Sequence, residues 1–229
     1  ITSAAISLLK FEPKLKRHLQ LPTVADGKLN LLAVLDDLSA LPLLLKLMSV
    51  CPLPDLELEG LFRELRASLL LSVSDLTGSA QELAFQSALA LQCFTNEYIY
   101  TQSEYEDEAL SVLEEQVKQT LRNGDQPSPQ SVLCLASYRS LYEYDWSSLL
   151  LVTHEIEDVF IRQFREPSIE SQIKTDLPVL EEITNKVSSK VRDQYEVSPY
   201  PRWVNLNLPL KPASVSKVVE EIKLKLFDE

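Results

Sequence analysis

Histidine and its neighbours are the residues that first suggest metal or acid–base chemistry in this chain. His154 and Glu155 match the beginning of the His-Glu-x-x-His motif of zinc proteases, but Asp158 stands where the second histidine belongs. The other histidine, His18, has no partner nearby in the sequence. Zinc needs several nitrogen or sulfur ligands, which two distant histidines and scattered cysteines do not supply. The pattern therefore predicts that His154 lies at a helix end or on the surface, and it predicts no metal site.

Carboxylates are concentrated in the run "SEYEDEALSVLEE", which begins at Ser103. Paired carboxylates are what glycosidases place across a cleft. All of these fall within a few turns of one predicted helix, near the N-terminus, where the helix dipole favours anions. We interpret the run as a solvated helix start. The enzyme alternative requires an open cleft that holds Glu104, Glu108 and Glu155 together.

Glycine is unusually scarce. Only four glycines occur in 229 residues, where average usage would give about sixteen. Phosphate-binding loops, tight hairpins and nucleotide-binding folds depend on glycine. No Walker loop, GxGxxG or GxSxG sequence occurs either. The scarcity favours helices and predicts that this chain binds no cofactor.

The charge of the chain is strongly acidic, with a formal net value of −12. Nucleic acid and anionic membranes require a basic face, so we expect neither as a partner. No run approaches the ~18 uninterrupted apolar residues of a membrane span. The cysteines, at positions 51, 93 and 134, are odd in number and form no CxxC pair. They predict reduced thiols packed among leucines and a cytoplasmic location.

Apolar residues recur with helical spacing along most of the chain, and no segment alternates as a strand would. We predict an all-α fold, an irregular helical bundle of about eight to ten helices with an extended Pro-rich C-terminal segment. Residues 1–165 would form the bundle. Residues 166–229 would form a linker helix, the extended segment and a short C-terminal helix. The helices expected in the bundle cover about residues 6–10, 14–20, 29–38, 41–50, 55–69, 80–100, 104–121, 131–142 and 147–164.

The helix after Ser79 is predicted to be the central one. Ser79 and Glu82 have the spacing of a capping box, and apolar residues then surround the helix axis on nearly all sides. Thr101 and Glu104 have the same spacing and predict a second capping box. A helix that is apolar on all sides is buried, so the other helices should pack around this one.

Polar and aromatic residues meet at the end of that central helix, in "CFTNEYIY". The first interpretation of Asn96 and Glu97 is a polar pair that fixes helix packing, because buried polar groups need hydrogen-bond partners. The alternative is a groove for a peptide. Aromatic residues in "YRSLYEYDWSS" are equally consistent with a core edge and with a partner surface. The residues of this possible groove are Asn96, Glu97, Tyr98, Tyr138 and Tyr142.

The stretch "VRDQYEVSPYPRWV", residues 191–204, differs from the rest of the chain. Its prolines favour a stiff, extended backbone that loses little entropy when it lies across another surface. Tyr200 and Trp203 would be rigid anchors, and Arg202 can pair with a carboxylate in a bidentate way. With Tyr195, these residues are the predicted contacts to a partner or a following domain. An ordinary Pro-rich linker is the alternative.

Several segments resemble a family of bacterial proteins that join tetratricopeptide repeats to a class I, S-adenosylmethionine-dependent methyltransferase domain. The first are "LELEGLFRELRASLL" and "QSALALQCFTNEYIY". "LPVLEEITNKVS" and "QYEVSPYPRWV" stand where the family has segments similar to "IPVLTPIEDPVS" and "QYEENPYPRW". The likeness runs from about Leu56 to Val204. Val197 and Ser198 depart from the usual Glu-Asn, so no role is carried over to them.

The resemblance implies a helical region that lies upstream of a catalytic domain. In such proteins a glycine-rich methyltransferase sheet follows, whereas here 26 residues without glycine follow Trp203 and no tetratricopeptide repeats precede. We expect a non-catalytic accessory domain, either cut from a longer protein or naturally separate. Its partner would be a methyltransferase domain in cis or in trans, and it would position or regulate that domain or present a protein substrate to it. A free-standing protein- or peptide-interaction module is the alternative.

Overall fold

All regular secondary structure of the described residues is helical. The computed structural model describes residues 2–19, 31–178, 185–197, 214 and 216–217. In these ranges it contains α-helices, short 3₁₀ helices and a π-helical turn, and no β-strand. The all-α prediction is confirmed. No helix there combines the length and apolarity that crossing a lipid bilayer requires. The chain divides into two compact units, residues 1–189 and 190–229.

The chain begins with four short helices, which confirm the predicted ones. They are α1 (Thr2–Leu9), α2 (Pro13–Leu19), α3 (Leu31–Ser39) and α4 (Pro42–Val50). His18, in the last turn of α2, is buried. Its Nε2 lies 3.0 Å from Oδ2 of Asp37, which belongs to α3. The hydrogen bond with His18, opposed by burial and aided by the charge of Arg17, lowers the pKa of Asp37. The pair ties α2 to α3.

Helices α5 (Leu56–Leu71) and α6 (Ala80–Thr95) begin at the caps that the sequence predicts. Oδ1 of Asp55 accepts hydrogen bonds from two backbone amides in the first turn of α5, at 3.1 and 3.2 Å. The amide of Glu82 donates to Oγ of Ser79 at 3.3 Å, and the amide of Ser79 donates to Glu82 Oε2 at 3.4 Å. Both caps satisfy helix N–H groups that would otherwise lack partners.

Helix α6 ends in an unusual turn without glycine. Asn96 is the C-cap, and the next two residues, Glu97 and Tyr98, have φ angles of 59° and 54°. The amide of Tyr98 donates to the carbonyl of Cys93 at 2.8 Å, as in a Schellman motif. The hydroxyl of Tyr98 donates to the carbonyl of Ala136 at 3.3 Å. The hydrogen bond to Ala136 helps to hold Tyr98 in a left-handed conformation, which non-glycine residues seldom adopt.

Helix α7 (Glu104–Arg122) has a capping box, but not the predicted one. The amide of Glu106 donates to Ser103 Oγ at 3.4 Å, and the amide of Ser103 donates to Glu106 Oε2 at 2.8 Å. The predicted pair of Thr101 and Glu104 is therefore wrong by two residues. The carbonyl of Thr101 instead accepts a hydrogen bond from Arg66 at 2.9 Å, which holds this residue outside the helix.

The helix predicted over residues 80–100 ends at Thr95, and two later predicted helices are also shorter than expected. Helix α8 (Pro129–Ala136) gives way to turns before Tyr142. The helix predicted over residues 147–164 is wrong in its first half, because residues 150–156 are not helical. There the side chain of Gln126 accepts from the amide of Leu151 at 2.9 Å and donates to the carbonyl of Leu149 at 3.2 Å. The side-chain amide of Gln126 thus bonds backbone groups that would bond one another in a helix.

One continuous helical stretch follows. It consists of α9 (Glu157–Phe160), a π-helical turn (Ile161–Arg165) and α10 (Glu166–Asp176). The predicted boundary between residues 165 and 166 falls inside this stretch, whereas the chain divides into its two compact units between residues 189 and 190. The π turn places Gln163 fully inside the core.

Helix α6 is the centre of the bundle, as predicted. It packs against α3, α4, α8 and α9, and most of its circumference is buried. Side chains such as Phe85, Ala90 and Cys93 are completely enclosed. A helix surrounded in this way can present only a small part of its surface to solvent, and that part is described below.

The last described helix is α11 (Lys186–Val197), which ends before Pro199 as the sequence predicts. The predicted extended segment, residues 198–213, lies outside the described residues. So does the predicted short C-terminal helix, apart from residues 214, 216 and 217.

Candidate protein-docking surfaces

A buried ionic cluster joins α5, α7 and the end of α8. The Arg66 guanidinium lies 3.6 Å from Glu106 Oε1, and both side chains are almost completely buried. The guanidinium also lies 4.1 Å from the centre of the Tyr138 ring. The hydroxyl of Tyr138 donates to Glu106 Oε1 at 2.6 Å. Arg66 further donates to the carbonyls of Tyr100 and Thr101 at 3.4 and 2.9 Å.

The protonation of this cluster follows from its surroundings. Burial alone would raise the pKa of Glu106, but hydrogen bonds from Tyr138 and Ser103 and the charge of Arg66 together lower it. Burial, together with the hydrogen bond to Glu106, raises the pKa of Tyr138. The carboxylate and the phenol therefore keep their ordinary neutral-pH forms. Enclosed and fixed in this way, the cluster stabilises the packing of three helices.

The predicted peptide groove is only partly a surface. Tyr138 belongs to the buried cluster. Tyr98 is half-buried, and its hydroxyl donates a hydrogen bond to the carbonyl of Ala136. Asn96 is half-buried at the C-cap of α6, with Oδ1 enclosed and accepting no hydrogen bond from the described residues. Glu97 and Tyr142 are exposed. The five residues thus divide between the core and the surface.

The carboxylates of the enzyme alternative do not share a pocket. Glu104 and Glu108 are exposed on the first turns of α7. Glu155 is exposed on a groove that neither of them lines. Within the described ranges, His, Cys, Asp and Glu form no group of three or more that would suit a metal ion.

Helix α10 carries an apolar stripe that the described residues leave exposed. Ile169 and Ile173, four residues apart, share one helix face and are 47% and 52% exposed. Leu177, the extended C-cap residue, follows at the same spacing and is 63% exposed. Polar residues occupy the remaining face. Contiguous exposed apolar side chains are typical of interaction sites.

Helix α11 carries a stripe with the same spacing. It consists of Val187, Val191 and Tyr195, which are 71%, 45% and 56% exposed. Tyr195 is one of the predicted partner contacts, and the structure places it at the C-terminal end of this stripe. The other three predicted contacts, at positions 200, 202 and 203, lie outside the described residues.

A groove of about 620 Å³ lies over α6, and we call it the α6 groove. Helix α4 and the start of α9 both pack against α6, so α6 forms its floor. Arg162 in the π turn donates to the carbonyl of Ser49 at 3.3 Å and joins α4 to the α9 side. The residues lining the groove are Pro42, Leu45, Lys46, Ser49, Gly78, Ala80, Leu83, Ala84, Ser87, Ala88, His154, Glu155 and Asp158.

The two sides of the α6 groove differ in charge. Lys46 lies on the α4 side, and Glu155 and Asp158 lie on the α9 side. A hydrogen bond from the Thr153 side chain, with one from its own backbone amide, lowers the pKa of Glu155. The carboxylate of Glu155 is therefore ionised at neutral pH. The α9 side presents anionic groups to anything that enters the groove.

The sequence interpretation missed both the α6 groove and the role of Gln163. The groove depends on Ala80, Ala84 and Ser87, whose spacing along one face of α6 was the available signal. Gln163 donates to the carbonyls of Ala90 and Ala136 at 3.0 and 3.1 Å. Nothing in the local sequence distinguishes this glutamine from an exposed one.

Comparison with protein-family models, with curated proteins and with solved structures found no match to this chain.

Proposed function

We propose that this chain is a non-catalytic helical accessory domain that holds a class I, S-adenosylmethionine-dependent methyltransferase domain, in cis or in trans, and positions it or presents its protein substrate. The observation that carries the proposal is the pair of exposed apolar stripes on α10 and α11. The identity of the partner comes from the resemblance of residues 56–204 to the methyltransferase-linked family.

The physical argument starts from the cost of leaving apolar side chains in water. Full burial of one isoleucine or leucine side chain contributes about 1.5–3 kcal/mol. Helix α11 offers three anchors at four-residue spacing, and α10 offers two, followed by Leu177 at its C-cap. Anchors at such spacing are how an amphipathic helix is bound in a groove. Both helices precede the segment "PYPRW", whose extended backbone would continue the contact. Each stripe, taken separately, is therefore a surface on which a following domain docks.

The stripe contact is tested by binding between this chain and the class I methyltransferase domain encoded after it or beside it. We expect Ile173→Glu and Val191→Glu each to weaken binding by about tenfold, because each places a charge in an apolar contact. Gln172→Glu and Gln194→Glu are matched controls, since these exposed neighbours gain the same charge on the same helices. Equal affinity of all four variants and the parent chain would refute the contact.

The accessory role is tested by calorimetry with S-adenosylmethionine. We expect heat of binding only when the methyltransferase domain is present. Binding of the cofactor by this chain alone would contradict the proposal, as would turnover by the isolated chain.

A free-standing protein- or peptide-interaction module is the second candidate, and the α6 groove favours it. A defined partner that still binds after deletion of residues 195–229 would support this candidate over the first.

A further inference from the structure

We infer that the α6 groove binds a helix of a partner protein, with small or apolar side chains facing α6 and lysine or arginine along the edge that faces Glu155 and Asp158. This inference rests on the second candidate function, the interaction module. It is independent of the contact proposed for α10 and α11.

The floor of the groove sets the shape of the occupant. Ala80, Ala84 and Ser87 share the exposed face of α6, and Leu83 and Ala88 lie beneath them. These side chains are short, so the axis of a second helix can approach α6 at the lower end of the usual 8–10 Å separation. The floor from Ala80 to Ala88 is about 12 Å long, which corresponds to rather more than two helical turns.

The sides of the groove set the charge of the occupant. Two carboxylates on the α9 side face one ammonium group, Lys46, on the α4 side. A basic edge on the incoming helix would complement Glu155 and Asp158 and fix its orientation. The chain as a whole carries a formal charge of −12, so a second copy would be repelled where a basic partner is attracted. Charge therefore favours a basic partner helix over self-association.

The probe for this proposal is a synthetic helical peptide of roughly 16 residues, or about 24 Å. It is rich in alanine, with leucine at i, i+3, i+4 and i+7, and it carries lysines along one edge of that stripe. A second peptide replaces every lysine with glutamate. Fluorescence anisotropy measures the affinity of each peptide for the full chain. We expect the lysine peptide to bind at least about tenfold more tightly, and its affinity to fall as salt is added.

Two sets of variants locate the site. Ala84→Trp fills the floor and should abolish binding, whereas Gln81→Trp, on an exposed part of the same helix that does not line the groove, should not. The double variant Glu155→Lys with Asp158→Lys should weaken binding of the lysine peptide by about tenfold. Glu157→Lys is the control, because this exposed glutamate lies between the two but does not line the groove. Circular dichroism confirms that each variant is folded.

Each outcome decides a separate point. Binding that survives Ala84→Trp, or that is weaker than about 1 mM for both peptides, overturns the inference. Loss of binding in Ala84→Trp without any effect of the double charge variant retains the groove as a docking site but refutes a basic occupant. A dimer in sedimentation that disappears in Ala84→Trp would identify a second copy as the occupant. None of these results bears on the Ile173 and Val191 variants, which test the methyltransferase contact.

Discussion

The Arg66 guanidinium lies 4.1 Å from the centre of the Tyr138 ring, so a cation is stacked on an aromatic face inside the bundle. The same ring carries the hydroxyl that donates to Glu106. A buried arginine is tolerated only where its charge and its N–H groups find partners. Here the Glu106 carboxylate and the Tyr138 ring balance the charge of Arg66. The carbonyls of Tyr100 and Thr101 accept its hydrogen bonds.

The first prediction concerns the energy of this cluster. Arg66→Leu should lower the free energy of unfolding by about 3–5 kcal/mol, because it leaves the Glu106 carboxylate buried without its counter-charge. Combining Arg66→Leu with Glu106→Gln should cost less than the sum of the single changes by about 1 kcal/mol or more. Urea unfolding measures all three. Arg63→Leu, at an exposed position on the same helix, is the control and should change stability by less than about 0.5 kcal/mol. Strict additivity would show that the two residues do not interact.

The second prediction is a pH dependence. The pKa of Glu106 in the folded chain lies below its ordinary value of 4.5, so the unfolded chain takes up a proton there first. The contribution of Glu106 to stability is therefore complete above pH 4.5 and declines as pH falls through the lower folded value. The difference in unfolding free energy between the parent chain and Glu106→Gln should shrink over that range. Because Asp37 is unchanged in both proteins, its own lowered pKa cancels from the difference. A gap that widens on acidification would contradict the assignment.

The third prediction concerns Gln163. Its amide donates to two helix carbonyls, and its Oε1 accepts from the amide of Leu141 at 3.3 Å. Gln163→Leu should lower the free energy of unfolding by about 1–3 kcal/mol, because the buried amide of Leu141 loses its acceptor and the carbonyl of Ala136 keeps, among the described residues, only the hydrogen bond from Tyr98. Gln172→Leu, on the exposed part of α10, should have almost no effect. Thermal melting of the two variants makes the comparison, and equal melting temperatures would refute the role.

The fourth prediction concerns thiol reactivity. Burial raises the pKa of Cys93 to about 12, and burial, despite a hydrogen bond from Gln86, raises the pKa of Cys134 to about 12. The thiolate is the reactive form, so both thiols should resist iodoacetamide at pH 8 in the folded chain. Cys51, which is only half-buried, should be alkylated first. Peptide mass spectrometry identifies the labelled residue, and labelling of all three in urea confirms that the reagent is active. Early modification of Cys93 would show that α6 is more open than described.

Local chemistry predicted those parts of the fold that depend on neighbouring residues. The caps at Asp55 and Ser79 were predictable because the donor and the acceptor lie within three residues of each other. The buried character of α6 was predictable because its apolar residues surround the axis. These features require no knowledge of the rest of the chain.

Features that depend on distant residues were not predictable. The helix expected at residue 150 is absent because Gln126, 25 residues from Leu151, satisfies the backbone there. The capping box of α7 lies two residues later than expected, because Arg66 holds the carbonyl of Thr101. The candidate surfaces follow the same rule: Ile169 and Ile173 have helical spacing, but their exposure depends on how the rest of the chain packs.

The π-helical turn at Ile161–Arg165 determines where that stripe points. A π turn holds an extra residue compared with an α turn, and each residue advances a helix by about 100°. Removing one residue there would restore an ordinary α-helix from α9 into α10. That deletion would leave Ile169 and Ile173 on their present face, whereas forcing the same residues into an unbroken α-helix would rotate both by roughly a quarter turn about the axis. The direction in which the apolar residues of α10 face is thus set by the π turn that precedes the helix.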